Sequence, residues 1–244
     1  MSTKSEISPR WLIVNADDFG ASTGINRGII ECHTRGILTS TSLMVTGRAL
    51  EEAVALSRQH PRLAIGLHFD LWGEDEREFD LGDHIAVRAE FFRQLEAFQQ
   101  VMKRSPTHID SHKHAHRQPG MLPLFQEWTA SLGVPLRDDG GGKFVGGFYA
   151  QWEHGVTELE YVSVPFLLQM LREEVPPGWT EISCHPGYRS PDFHSIYLEE
   201  RQAEVATLTN PTVKQFIETS GIRLVSYADR PALKSTQPER GKSL

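Results

Sequence analysis

Seven short apolar runs alternate with helical segments along the chain and predict an α/β fold, a single-domain, TIM-barrel-like (β/α) barrel, incomplete, with about seven strands. Repeated strand–helix units imply parallel strands joined by right-handed crossovers. The titratable residues also gather at the predicted carboxyl ends of the strands, where parallel α/β folds keep their sites.

The elements follow in order. WLIVN (11–15) is an apolar run of strand length, and GINRGIIECHTRG (24–36) has helical spacing that Gly36 stops. TSLMV (41–45) is the second strand, and ALEEAVALSRQH (49–60) is a helix closed by Pro61. LAIGLHF (63–69) is the third strand, followed by the irregular acidic stretch WGEDEREFDLGD. Residues 87–104 form the longest helix, with Phe91, Leu95, Phe98 and Met102 in a stripe that reads as core. THIDSH (107–112) is the fourth strand, 119–132 a helix, and VPLRD (134–138) a short fifth strand. DDGGGKFVGG then reads as a flexible loop. A helix around 163–175 stops before Pro176-Pro177, and WTEISCHPG (179–187) is the sixth strand. Helices at 197–208 and 211–219 follow, with Pro211 suited to opening the second, and IRLVSY (222–227) is the seventh strand. The expected organisation is a flexible N-terminus (1–10), one barrel (11–230) and a disordered polar tail (231–244).

Composition narrows the function. A length of 244 residues and a hydrophobic fraction of 39% suit a soluble domain with a sizeable core. A net charge of -7 with scattered Lys and Arg argues against a nucleic-acid partner. No apolar run reaches the roughly 20 residues of a membrane span, and no signal peptide is evident. Cys32 and Cys184 are too few and too distant for a disulfide framework, so a cytoplasmic location is expected. A homodimer is the base-rate expectation for assembly.

The strand ends carry the chemistry. The first ends in Asp17-Asp18, the third in His68, the fourth in Asp110, His112, His114 and His116, the fifth in Arg137-Asp138, the sixth in His185. Strand alternation places Asp110, His112 and His114 on one face and leaves His108 at the far end. Asp17 and Asp18 point oppositely in a regular strand and can both face inward only where the chain turns. Two histidines and a carboxylate form a common catalytic metal set. Each residue alone has a plain structural reading, as helix cap, rim histidine or solvated loop. Their joint placement at several strand ends favours a site.

The stretches LIVNADDFG, AIGLHFDL, PTHIDSHKHAH and EISCHPG, with GIIE, GILTSTSLMV and YLEERQAEVATL, resemble the successive motifs of the YdjC-like carbohydrate deacetylases. The resemblance runs from about residue 11 to 229. It implies a barrel of the glycoside hydrolase/deacetylase type and hydrolysis of N-acetyl groups from N-acetylglucosamine-containing oligosaccharides. It implies a single divalent metal on Asp18, His68 and His112, with Asp17 as base and His185 as the histidine that protonates the amine. Mg2+ is the ion implied; Zn2+ suits the same donors. Arg137 is expected to pair with Asp17, and Asp110 to orient His112 or His185. The partner implied is a small N-acetylated amino sugar or oligosaccharide. A metal-dependent phosphoesterase and a catalytically silent sugar-binding homologue are the competing readings. The short acidic segment after His68 and the glycine-rich stretch after Arg137 depart from the family pattern and leave the preferred sugar open.

Overall fold

The structure is a computed structural model that describes residues 9–73 and 78–230. The expected tail, most of the expected N-terminal segment and part of the acidic stretch after His68 lie outside those residues. The strands are β1 (Arg10–Phe19), β2 (Ser40–Leu43), β3 (Ala64–Phe69), β4 (Ile109–Ser111), β5 (Lys143–Val145), β6 (Gly178–Cys184) and β7 (Ile222–Leu224). The helices are α1 (Thr23–Arg35), α2 (Leu50–Gln59), α3 (His84–Met102), α4 (Met121–Leu132), α5 (Val164–Glu173), α6 (Glu199–Leu208) and α7 (Pro211–Thr219).

All strand pairs are parallel, in the order β4-β3-β2-β1-β6-β5, as repeated strand–helix units require. β1 is the central strand and is buried from Trp11 onward. One of its edges is shared: β7 pairs with Arg10–Leu12, and β2 pairs with Asn15 to Phe19. The sheet curls into the expected incomplete barrel. Arg137 makes this plain, because its guanidinium touches Asp17 on β1, Asp110 on β4 and Glu181 on β6. β4 and β1 are separated by two strands, so only a curled sheet brings these side chains together.

The aromatic stripe of α3 is core. Phe91, Leu95 and Phe98 are buried, and Phe91 packs edge-on to Phe69 and Phe125 at 5.7 and 5.6 Å. Such ring pairs add to the stability that burial alone supplies.

Three expected elements are corrected. The strand expected at 134–138 is reduced to one bridge, Ile109 to Leu136, flanked by hydrogen bonds from Ile109 N–H to Pro135 C=O and from Arg137 N–H to Ile109 C=O. Pro135 has no N–H to extend the ladder, and Asp138 turns into the left-handed region (φ 57°). The strand forms instead at β5, within the stretch expected to be a flexible loop. Gly142 lies against Trp179 of β6, where a Cβ would meet Trp179 Cβ at 2.8 Å. The fourth strand stops at Ser111, and residues 112–117 form a 3-10 turn with Lys113 and His114 left-handed. Strand alternation therefore does not carry on to His114.

Candidate active site

The adjacent aspartates are built on a β-bulge. The register of β1 against β2 shifts between Ala16 and Phe19, and Asp18 is left-handed at φ 68°. A bulge adds one residue to a strand and re-aims its side chains. Both carboxylates therefore reach the interior from neighbouring positions inside β1, rather than from a loop after it.

Their partners differ. Asp17 receives both ends of the Arg137 guanidinium, at 2.7 and 2.6 Å, and the Asn15 amide at 3.0 Å. Burial alone would raise its pKa, but the bidentate arginine outweighs that and holds it below the usual carboxylate range. The expected Asp17–Arg137 pairing is thus present. Asp18 receives Arg201 on Oδ2 at 2.6 Å, while its Oδ1 faces His68 Nε2 at 3.3 Å and His112 Nδ1 at 3.5 Å. Burial raises this group too, and Arg201 leads the contacts that pull it well below its usual value.

Asp110 anchors His68, its ionised carboxylate accepting from Nδ1 at 2.7 Å, with Ser42 Oγ nearby at 3.3 Å. This corrects the expectation that Asp110 orients His112 or His185. Burial would lower the His68 pKa, but Asp110 and Asp18 on its two nitrogens hold it well above the usual range. The ring sits where a positive charge is favoured.

His185, at the end of β6, brings Nε2 to 3.8 Å from Asp17 Oδ2. Burial lowers its pKa against the pull of Asp17 and Asp18, and its ring packs edge-on to Tyr149 at 5.7 Å. Glu204 of α6 accepts its backbone N–H, and Tyr197 Oη donates to Glu204 at 2.7 Å. Burial raises Glu204 to about 8.

The predicted residues Asp17, Asp18, His68, His112 and His185 all line one cleft of about 990 Å³. Asp110 and Arg137 lie beneath it, fully buried. His114 lines the same cleft but turns its ring to Phe144, at 5.7 Å, and His116 is buried behind it on Ser111 Oγ at 2.6 Å. His108 lies deeper, stacked on Tyr227 with ring centroids 3.8 Å apart.

Asp18, His68 and His112 could hold a metal ion: their ligand atoms lie within 4.8 Å of one another. Asp18 Oδ1 is buried and makes no regular hydrogen bond; only the His68 and His112 rings face it, an arrangement that fits a cation between them. The second cluster of this kind, Asp17, His68 and Asp110, already has its positive charge in Arg137.

Sequence reasoning missed Arg201, Glu204, Glu181 and Asn15. Each carried a signal. Arg201 and Glu204 share helical spacing with the buried Val205 and Leu208, so two charges interrupt an apolar stripe. Glu181 and Asn15 have the strand parity of His185 and Asp17.

Fold and site together define an incomplete parallel (β/α) barrel with a carboxylate–imidazole cluster at its carboxyl strand ends. Residues 11–219 match the family described as YdjC-like protein. The chain belongs to that family. It is 35% identical over 262 aligned positions to a chitooligosaccharide deacetylase of Serratia marcescens, covering 90% of this chain and 99% of the relative. A solved structure from Enterococcus faecalis, named for a proposed cellobiose-phosphate cleavage, superposes with TM-score 0.77 at 27% identity, covering 91% of this chain and 99% of that one. A polysaccharide deacetylase of Bacillus cereus shares the fold at TM-score 0.58 and 13% identity, with 91% and 93% of the chains covered.

Proposed function

We propose that this protein is a metal-dependent carbohydrate N-deacetylase that removes acetyl groups from N-acetylglucosamine-containing sugars. The observation that carries the reading is the contrast between Asp17, paired and ionised, and Asp18, with one buried oxygen free beside two imidazoles. The full-length similarity to a chitooligosaccharide deacetylase supports the substrate class.

Asp18, His68 and His112 would hold the ion. A divalent ion held there supplies Lewis acidity to the reaction. The two imidazole donors suit Zn2+, and Mg2+ is the ion the family resemblance implies.

The chain's own groups supply the proton transfers. Asp17, kept ionised and oriented by Arg137, accepts the proton of the attacking water. His185 Nε2, 3.8 Å from Asp17 Oδ2, is placed to pass the proton that Asp17 takes from the water on to the departing amine nitrogen. Asp110 fixes the His68 ring so that Nε2 faces Asp18. Arg201 occupies one oxygen of Asp18 and leaves the other to face the histidines.

The test is acetate release from N,N'-diacetylchitobiose, with and without EDTA and with Zn2+ or Mg2+ restored. Release that EDTA abolishes and an added ion restores supports the reading. Release untouched by EDTA would overturn the metal dependence. No release with either ion would overturn the assigned activity on this sugar.

A further inference from the structure

We propose that Trp152 is the platform for a second sugar ring, next to the ring whose acetyl group reacts, and so makes the cleft select an oligosaccharide over a single amino sugar. The proposal rests on the deacetylase reading above and adds where the rest of the substrate lies.

Trp152 is 58% exposed, unusual for so large an apolar side chain, and it lines the same cleft as Asp17, Asp18 and His185. Its position is fixed. Its ring meets Tyr149 edge-on at 5.8 Å and Tyr161 at 6.3 Å. Tyr149 in turn lies 5.7 Å from the His185 ring and stacks on Tyr197 at 4.8 Å, 6° from parallel. A row of rings therefore leads outward from His185 through Tyr149 to Trp152. A sugar held for reaction at His185 is two ring steps from Trp152, so the surface there is left for its neighbour.

A second exposed apolar side chain lines the cleft on a neighbouring segment. Ile196, 56% exposed, lines the cleft. Gln151 is buried and donates to both Ile196 C=O (3.2 Å) and Glu200 Oε1 (3.0 Å), and Ala150 N–H donates to Tyr197 Oη (3.1 Å). These bonds tie the Trp152 segment to the Ile196 segment. A cleft ordered before binding avoids much of the entropy cost of closing on a ligand.

The chemistry matches a pyranose. Such a ring offers a face of C–H groups rimmed by hydroxyls, and an exposed indole covers that face. His154 and His194, which also line the cleft, offer polar groups to the rim. Val156 and Leu159 are also exposed nearby in sequence, so a second copy of the chain is the competing occupant.

The test uses calorimetric titration of the Asp17→Asn protein, whose slowed turnover leaves time to read binding, with N,N'-diacetylchitobiose and with N-acetylglucosamine. Adding Trp152→Ala should weaken disaccharide binding about tenfold or more, as loss of a central aromatic contact does, with monosaccharide binding unchanged. Trp152→Phe should restore most of the loss. In the otherwise wild-type enzyme, Trp152→Ala should raise KM for the disaccharide and leave kcat near its original value. Equal weakening of both sugars, or of neither, would overturn the platform while acetate release left the deacetylase reading intact. A sedimentation change in Trp152→Ala with unchanged sugar binding would assign the surface to a second copy and overturn the proposal. An Asp17→Asn protein that binds neither sugar, together with a wild-type protein that releases no acetate, would overturn both readings.

Discussion

Two clusters of charge share this barrel, and they are built differently. Beneath the cleft, Arg137 is surrounded by Asp17, Asp110 and Glu181, each within 2.8 Å, and the network closes on itself. At the cleft, His68 and His112 converge on an Asp18 oxygen that makes no regular hydrogen bond. A satisfied ionic cluster holds geometry, whereas an unsatisfied one is a place for a ligand. Asp17 and Asp18 are adjacent in sequence, yet the bulge in β1 gives one to each cluster.

The contrast can be broken from the closed side first. Asp17→Asn should keep the fold, because Asp110 and Glu181 still hold Arg137, yet lower kcat by about 10²–10⁴ for loss of a positioned base. Acetate-release kinetics with a thermal melt of the same sample check this. Arg137→Met should instead cost stability, about 3–5 kcal/mol, because it leaves buried carboxylates without their cation. Urea unfolding measures it, and a loss below 1 kcal/mol would mean that the network does not hold the barrel.

The open side sharpens through its support. Asp110→Asn should weaken metal affinity by about 10–100-fold without removing a ligand, since it loosens the His68 ring. Calorimetric titration of Zn2+ reads this, and unchanged affinity would free His68 from Asp110.

The smallest effect concerns the histidines that belong to neither cluster. Burial lowers His108 and His116 to about 3 and His114 to about 4, from 6.5. The unfolded chain therefore binds more protons between those values, and stability should fall as pH drops from 6.5 towards 4. Asp17 and Asp18, depressed in the folded chain, add a further loss only below about their usual 3.8. Melting temperatures across pH 7 to 4 check the direction.

Much of this was legible in the sequence because period and position carry it. The parallel order, the α3 core stripe and the gathering of Asp17, Asp18, His68, His112 and His185 all follow from strand and helix periods. What escaped depends on contacts across the sheet. Nothing local in VPLRD says that Asp110 and Glu181 will join Asp17 around Arg137, or that the ladder will resume beyond the glycines at Lys143. Nothing in NADDFG says that Asp18 will adopt a left-handed bulge. Arg201 was not singled out on its helix, although its spacing to Val205 and Leu208 marked it as inward-facing.

The most direct test of the division between the aspartates is the metal content of purified wild type, Asp17→Asn and Asp18→Asn after equilibration with Zn2+. The account predicts an ion retained in wild type and in Asp17→Asn and lost from Asp18→Asn. An ion lost from Asp17→Asn and retained by Asp18→Asn would contradict it.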